Sequence, residues 1–249
     1  DYLDKICKEK LEPFIDKCYE ELSTYVNAYE QKMKMKREAI ADKGIWIAKK
    51  RYILNVYNNE GVQYSEAKLK MAGIEAVRSS TPAVVRDLIK KALVMIMTKT
   101  EDEVIDFISE EREKFKTLSF EEVAFPRGCK ELEKWMDNST SSKIYKTGCP
   151  IHVKGAIMYN YLLKEKKLTN KYEMVNRGDK IKFCYLKTPN IIGEHVISTP
   201  GKLPPEIELT DFIDYDTQFE KAFLDPIKNI LTVIGWESER RNTLESFFL

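Results

Sequence analysis

The sequence predicts an α+β fold, in which a long amphipathic helix and a β-hairpin precede a mainly helical part with a small β insertion. Three observations support this prediction. Apolar residues recur at three- and four-residue intervals over residues 3–29, which is typical of a helix with one apolar face. Residues 52–57 alternate between two sets of side chains, as in a strand with two faces. Helical periodicity returns over residues 82–115 and predicts a helical hairpin.

Composition limits the kinds of protein that this chain can be. It has 249 residues, 43% of them apolar, and a formal net charge of +1, so it predicts one large or two small globular domains. Because the charges are balanced, any contact with nucleic acid must come from local basic patches. Five cysteines without a C-x-x-C pair indicate a reducing cytoplasm and no disulfide framework. We see neither a membrane-spanning apolar run nor a signal peptide. The missing initiator Met is expected of a chain that is processed or cut from a longer one.

The first helix is predicted to turn its apolar stripe toward a protein core. Pro13 lies inside it and predicts either a kink or a new start. Weak alternation over residues 31–40 predicts a strand, and residues 42–44 a short loop.

Residues 44–82 carry the strongest candidate for a binding site. They predict a β-hairpin around a turn at residues 58–61. Its first strand opens with three cations and a tyrosine: Lys49, Lys50, Arg51 and Tyr52. A polar, cationic turn then precedes a helix: Arg78, Ser79, Ser80 and Thr81. Both arrangements hold phosphates, and the alternative for the basic strand is a solvated edge that blocks edge pairing.

The second half of the chain predicts helices with a small sheet. We expect Thr81 to cap the next helix with Pro82 at its first position, and a capping box at residues 100–103 to open the following one. Residues 119–125 predict a short strand and residues 126–128 a turn. Further strands are predicted at 176–186 and around 195–198, and a last helix at 211–233.

Catalytic and metal-binding signals are weak. Cys149 and His152 form one Cys–His pair without a second, which cannot close a tetrahedral zinc site and favours a structural role. We find no G-x-S-x-G, no P-loop and no arrangement that suggests a catalytic triad.

The order of several motifs resembles the end of the palm and the start of the thumb in family B DNA polymerases of T-even-type tailed phages. In chain order these motifs are Glu-Pro-x-Ile-Asp at 12–16, Arg-Glu-Ala-Ile at 37–40, Lys-Lys-Arg-Tyr at 49–52, Lys-x-x-Gly-x-Glu at 70–75, Ser-Ser-Thr-Pro at 79–82, Cys-Pro-x-His-x-Lys-Gly at 149–155 and Gly-Asp-Lys-Ile at 178–181. The resemblance implies palm for residues 1–73, thumb for 74–236 and a sliding-clamp-binding tail for 237–249.

The resemblance also implies roles for particular residues. Lys49, Lys50, Arg51 and Tyr52 would position the primer-template DNA near its growing end. Lys70, Gly73, Arg78, Ser79, Ser80 and Thr81 would hold the DNA backbone further along, and Lys154 would lie close to the duplex. Glu38 would be a carboxylate close to the polymerase active site, placed behind the residues that act there directly. Its alternative is a surface or ion-paired glutamate, and Lys36 stands where the family often has an acidic residue.

The family's catalytic aspartates do not occur in this sequence. The motifs Asp-x-x-Ser-Leu-Tyr-Pro and Tyr-Gly-Asp-Thr-Asp-Ser are both missing, and two-metal phosphoryl transfer needs such carboxylates. We therefore expect this chain alone to be inactive and to bind no cofactor, with Mg²⁺ held in the complete polymerase. Its expected partner is an N-terminal polymerase part that carries exonuclease, fingers and catalytic palm, in the cytoplasm of an infected bacterial host. The chain is then either one piece of a split polymerase or a truncation.

The C-terminal tail fits a sliding-clamp peptide, whose general pattern is Gln-x-x-aliphatic-x-x-aromatic-aromatic. Leu244, Phe247 and Phe248 match this pattern, and Arg241 stands at the Gln position. One helical turn would put the three apolar residues on one face. The alternative is that the tail folds back onto its own chain. The rival functions are a non-catalytic DNA- or clamp-binding protein derived from a polymerase thumb, and an unrelated α+β interaction domain.

Overall fold

The computed structural model describes residues 2–137 and 144–240. They belong to two compact units, one ending at Gly73 and the other beginning at Ile74. Helices and two antiparallel sheets are both present, which confirms the predicted α+β class. The assignment of the two units to palm and thumb stays a prediction.

The first unit begins with helix α1. It comprises Tyr2–Ile6, a π-helical turn at Cys7–Leu11 and a segment at Glu12–Tyr25. Pro13 lies at the start of the third segment, as a proline at a helix start should. The prediction that α1 faces a core is wrong for the described chain, because none of the residues in its three segments is buried.

A three-stranded antiparallel sheet follows, in the order β1-β2-β3, with β1 at Ala39–Ala48, β2 at Arg51–Asn59 and β3 at Val62–Ala72. The predicted hairpin is β2–β3, and β1 adds a third strand that the sequence placed too early. The predicted loop at residues 42–44 lies inside β1 instead. The register of β1 and β2 is irregular at this point. Asn55 of β2 donates from Nδ2 to Asp42 Oδ1 at 2.8 Å, which accommodates the polar Asp42 within the strand.

Two-residue turns join the strands. Glu60 and Gly61 connect β2 to β3, and Gly61 donates its N–H to Asn58 Oδ1 at 3.1 Å. Lys49 and Lys50 connect β1 to β2, so the prediction that they lie in a strand is wrong. The reason is the backbone of Lys50, whose φ of 63° interrupts the strand geometry.

In its described residues, 74–137 and 144–240, the second unit holds six further helices and a second sheet. The helices are α2 (Ala83–Thr98), α3 (Glu101–Phe115), α4 (Phe120–Val123), α5 (Leu132–Trp135), α6 (Ile151–Glu165) and α7, which runs through Tyr215–Phe219, a π-helical turn Glu220–Leu224 and Asp225–Val233. The strands are β4 (Phe125–Gly128), β5 (Lys180–Tyr185) and β6 (Val196–Thr199), with β5 in the centre. Short 3₁₀ turns lie at Glu75–Val77, Pro205–Ile207 and Thr210–Phe212.

Local signals account for most of these boundaries. The predicted capping box is confirmed, since Thr100 and Glu103 exchange bonds at the start of α3. Residues 119–125 were predicted as a strand, but Ser119 and Glu122 form a second capping box and open the helix α4. The predicted turn at residues 126–128 lies in β4 instead. This is an edge strand of the second sheet, and an edge strand can accommodate a proline such as Pro126.

Aromatic and aliphatic side chains from the helices and strands of the second unit form its core. Phe115 of α3 packs edge-on against Phe219 of α7, with ring centroids 5.3 Å apart. Helix α6 lies on the second sheet, where the Ser198 hydroxyl donates to the His152 carbonyl at 2.8 Å. This packing fixes the first turn of α6, which carries Lys154.

Candidate nucleic-acid interface

The turn between β1 and β2 presents two lysines to solvent. Lys49 and Lys50 are both exposed, and neither forms an ion pair with any residue in the described ranges 2–137 and 144–240. Their positive charges are therefore available to an external anion. The left-handed backbone of Lys50 holds the turn in a conformation that a non-glycine residue rarely adopts.

Gly73 lies directly behind this turn. It has a φ of 65°, and a Cβ atom added to it would lie 2.6 Å from the Lys50 carbonyl oxygen and 2.9 Å from Arg51 Cγ. No side chain fits there without displacing the backbone of the turn. The sequence separation of 23 positions between Lys50 and Gly73 hides this contact. The structure brings Gly73 together with Lys50 and Arg51, although the resemblance implied that Gly73 holds a different stretch of the DNA backbone.

Arg51 and Tyr52 begin β2 and are both half-buried. Tyr52 pairs with Trp46 on one side and with Ala72 on the other. The four predicted contact residues thus divide into two exposed cations on the turn and two side chains rooted in the sheet.

Lys70 and Glu38, two predicted site residues, bind each other. The Lys70 ammonium forms an ion pair with the Glu38 carboxylate and donates to Asn59 Oδ1 at 2.9 Å. The hydrogen bond to Glu38 raises the pKa of Lys70. Glu38 therefore has the ion-paired arrangement that was its alternative, and the charge of Lys70 is already balanced within the first unit.

The polar turn before α2 differs from its prediction. Helix α2 begins at Ala83 with Pro82 at the cap position and no side-chain capping bond, so the prediction that Thr81 caps it is wrong. Thr81 is buried instead, and its N–H donates to the Arg78 carbonyl at 3.2 Å. Arg78 contacts the Glu75 carboxylate at 3.2 Å. Ser79 remains exposed and Ser80 half-buried.

Two cations that the sequence did not single out border this turn. Arg86 and Lys182 line an open depression of about 330 Å³ together with Ser79 and Thr81. A third cation, Arg127, donates from Nη1 to the Ser80 carbonyl at 3.0 Å. The only available signal was the position of Arg86 one turn into α2, since Lys182 and Arg127 come from distant strands.

Lys154 lies in an internal cluster. Its ammonium is 2.6 Å from Glu194 Oε2, and both side chains are only 15% exposed. It also lies 4.8 Å from the centre of the Tyr145 ring, and the Tyr145 hydroxyl donates to Glu194. Burial by itself lowers the pKa of Lys154, but its hydrogen bonds to Glu194 and Tyr145 outweigh that effect and leave the pKa raised. The charge predicted to face DNA is thus used within the second unit.

Leu244, Phe247, Phe248 and Arg241 lie outside the described residues. Among residues 2–137 and 144–240, no three His, Cys, Asp or Glu side chains converge as metal ligands do. No helix in those ranges has both the length and the apolar character needed to cross a bilayer.

Comparison with known proteins identifies the class of this chain. The sequence profile described as DNA polymerase family B matches residues 9–234, and the chain therefore belongs to that family.

Two phage polymerases resemble it over its whole length. The DNA-directed DNA polymerase of Enterobacteria phage T4 is 29% identical over 260 aligned residues, and that of Escherichia phage RB69 is 30% identical over 265. Each alignment covers 100% of this chain and 28% of the relative, so the chain spans 28% of the length of these curated relatives.

Proposed function

We propose that this chain is the C-terminal part of a phage-type DNA-directed DNA polymerase, and that it holds the primer-template duplex while the chemistry takes place on another part. Residues 1–73 would end the palm and residues 74–236 would form the thumb. The observation that carries this proposal is the β1–β2 turn, where Lys49 and Lys50 are exposed and unpaired within the described chain. The family membership supports DNA as the polyanionic partner of these cations.

Phosphate contact is the chemistry that such a turn supports. Two ammonium groups on a rigid turn neutralise two phosphates without reading any base, so they position the duplex and do not select its sequence. The exposed Ser79 and the start of α2, which no side chain caps, would add a second contact to the DNA backbone. Lys70 and Lys154 would contribute less to phosphate binding, because each already binds a carboxylate.

A second polypeptide part would supply the active site. The described residues bring no metal-ligand cluster together, and the Mg²⁺ of the complete polymerase would be held by that second part. The exposed apolar side chains of α1 support docking of this N-terminal part, because a row of such side chains marks a protein interface. Its members are Tyr2, Leu3, Leu11, Phe14, Leu22 and Tyr25.

The decisive experiment measures DNA binding at several salt concentrations, with the chain completed by its N-terminal polymerase part. Lys49→Gln/Lys50→Gln should weaken primer-template binding and make the plot of log affinity against log salt shallower by about 2, since each phosphate contact contributes roughly 0.9. The change should be the same for different DNA sequences.

A matched control removes the same amount of charge elsewhere. Lys114 of α3 is already paired with Glu111 at 2.7 Å, and Lys116, the residue after α3, is paired with Glu113 at 2.8 Å. Lys114→Gln/Lys116→Gln should therefore leave the salt slope nearly unchanged. Equal slopes for the wild type and the Lys49/Lys50 variant would contradict the proposal.

A further inference from the structure

One face of the first sheet carries two aromatic side chains opposite each other. In the register of β1 and β2, Trp46 pairs with Tyr52 and Gly44 pairs with Leu54. Side chains two positions apart on a strand share a face. Trp46, Tyr52 and Leu54 therefore lie on the same side of the sheet, over the position of Gly44.

Trp46 is the exposed member of this pair, with 65% of its surface open to solvent. Gly44 sets its orientation, because a Cβ atom at residue 44 would lie 2.6 Å from Cη2 and 2.7 Å from Cζ3 of the indole ring. The far edge of the ring thus rests where any other residue would place a side chain. The sheet holds a large aromatic ring in one position and still leaves most of its surface uncovered.

The surroundings of Trp46 combine aromatic and cationic groups. An open depression of about 360 Å³ is bordered by Trp46, Tyr52, Leu54 and Lys70, and also by Glu38, which is paired with Lys70. The turn with Lys49 and Lys50 begins three positions after Trp46 on the same strand connection. Aromatic rings beside cations are how proteins bind single-stranded nucleic acid, with bases stacked on the rings and phosphates beside the cations.

We propose that Trp46, supported by Tyr52, is a stacking site for an unpaired nucleotide of the DNA whose phosphates contact Lys49 and Lys50. This inference rests on the proposed function and adds a base contact to its phosphate contacts. A paired base inside a duplex has both faces covered by its neighbours, whereas an unpaired base offers a free face to the indole. The site therefore distinguishes an unpaired nucleotide from a paired one and does not distinguish among base identities.

The test uses the full chain with Trp135 and Trp236 replaced by Phe, so that Trp46 is the only tryptophan. A short oligothymidylate should quench its fluorescence, whereas a fully paired duplex should quench it far less. With fluorescently labelled DNA, Trp46→Ala should lower the affinity for the oligothymidylate by about 5-fold or more. The same variant should change the affinity for the paired duplex by less than about 2-fold.

Three further variants separate stacking from general damage. Trp46→Phe keeps a ring and should restore most of the affinity. Gly44→Ala keeps Trp46 but pushes its ring away, and should resemble Trp46→Ala. Tyr57→Ala removes another exposed aromatic side chain from β2 and should have little effect.

The outcomes distinguish this inference from the proposed function. If Trp46→Ala weakens neither ligand, or weakens both equally, the stacking site is overturned. If Lys49→Gln/Lys50→Gln still weakens duplex binding in that case, the proposed function stands alone. A Trp46→Ala variant that loses only its association with the N-terminal polymerase part would show that protein covers the ring, which also overturns the stacking site.

Discussion

The carbonyl oxygen of Lys50 occupies the space where a side chain at residue 73 would begin, 2.6 Å from the position of a Cβ atom on Gly73. The end of β3 therefore supports the turn that joins β1 to β2. Both residues have positive φ angles, 63° for Lys50 and 65° for Gly73. The close contact with the Lys50 main chain makes the position of this turn sensitive to one methyl group added at Gly73, the residue that follows β3.

Gly73→Ala should destabilise the first unit more than an ordinary glycine substitution does. A left-handed backbone costs an alanine about 1–2 kcal/mol, and the clash with Lys50 adds about 1–3 kcal/mol. Gly61→Ala is the matched control, because Gly61 has a φ of 88° but its nearest atom, Lys8 Nζ, is 3.9 Å away. Urea unfolding measures the free energy of unfolding of both variants. It is followed by the fluorescence of Trp46, with the other two tryptophans replaced. Equal losses of unfolding free energy in the two variants would show that the Lys50 backbone shifts at little cost to make room for the added methyl group.

Breaking the Lys154–Glu194 pair should reduce stability and leave DNA binding intact. Glu194→Gln leaves the Lys154 ammonium, which is 15% exposed, without its carboxylate, and such a loss costs about 1–3 kcal/mol. Thermal unfolding of the second unit should detect it, and the double variant Lys154→Met/Glu194→Leu should recover part of the loss. The salt slope of DNA binding for Lys154→Gln should match the wild type. A shallower slope would show that Lys154 contacts phosphate directly.

The contrast between these two sites shows what the sequence could predict. Capping at Thr100, strand alternation after Tyr52 and the end of the last helix at Val233 depend on neighbouring residues, and all three were predicted correctly. The Lys49–Lys50 turn was missed because neither residue is a usual turn former. Its geometry comes from the whole sheet and not from local chemistry.

The ion pairs of Lys154 and Lys70 could not be predicted from the sequence either. Glu194 lies 40 positions from Lys154, and Glu38 lies 32 positions from Lys70. A motif identifies a cation but not the carboxylate that the fold brings beside it. Of the predicted cations, Lys49 and Lys50 therefore remain the best supported, since the described chain offers them no carboxylate.

Phe14→Ala should weaken the association of this chain with its N-terminal polymerase part. Phe14 is 64% exposed and lies on a helix with no buried residue in its three segments. Truncating an aromatic side chain at the centre of an interface costs about 2 kcal/mol or more. Asp16→Ala is the control, since two positions along a helix lead to its opposite face. Analytical ultracentrifugation of the two-part complex measures both, and equal affinities for the two variants would exclude this face as the interface.

The stability of the second unit should fall as the pH is lowered from about 7.5 to 5.5. Burial, and next the charge of Arg127, lowers the pKa of His152 below its usual value. The unfolded chain, with a histidine pKa of about 6.5, then takes up the proton first. His152 therefore contributes stability that is present above about pH 6.5 and lost as the pH falls through its folded pKa.

Urea unfolding at several pH values tests this dependence. His152→Gln should flatten the change in the free energy of unfolding over that range. His195→Gln, at the only other histidine, should keep the slope of the wild type. A slope that survives in His152→Gln and disappears in His195→Gln would reverse the assignment.

The C-terminal tail should couple the completed polymerase to a sliding clamp. Leu244→Ala/Phe247→Ala/Phe248→Ala removes the apolar side chains of the peptide pattern, so clamp-dependent processive synthesis should be lost while synthesis without the clamp continues. Thr243→Ala/Ser246→Ala changes the intervening positions of the same tail and should leave both activities unchanged. Arg241→Gln restores the common residue at the first position and should tighten clamp binding. If the triple variant loses basal synthesis as well, the tail serves the fold or the DNA site and not the clamp.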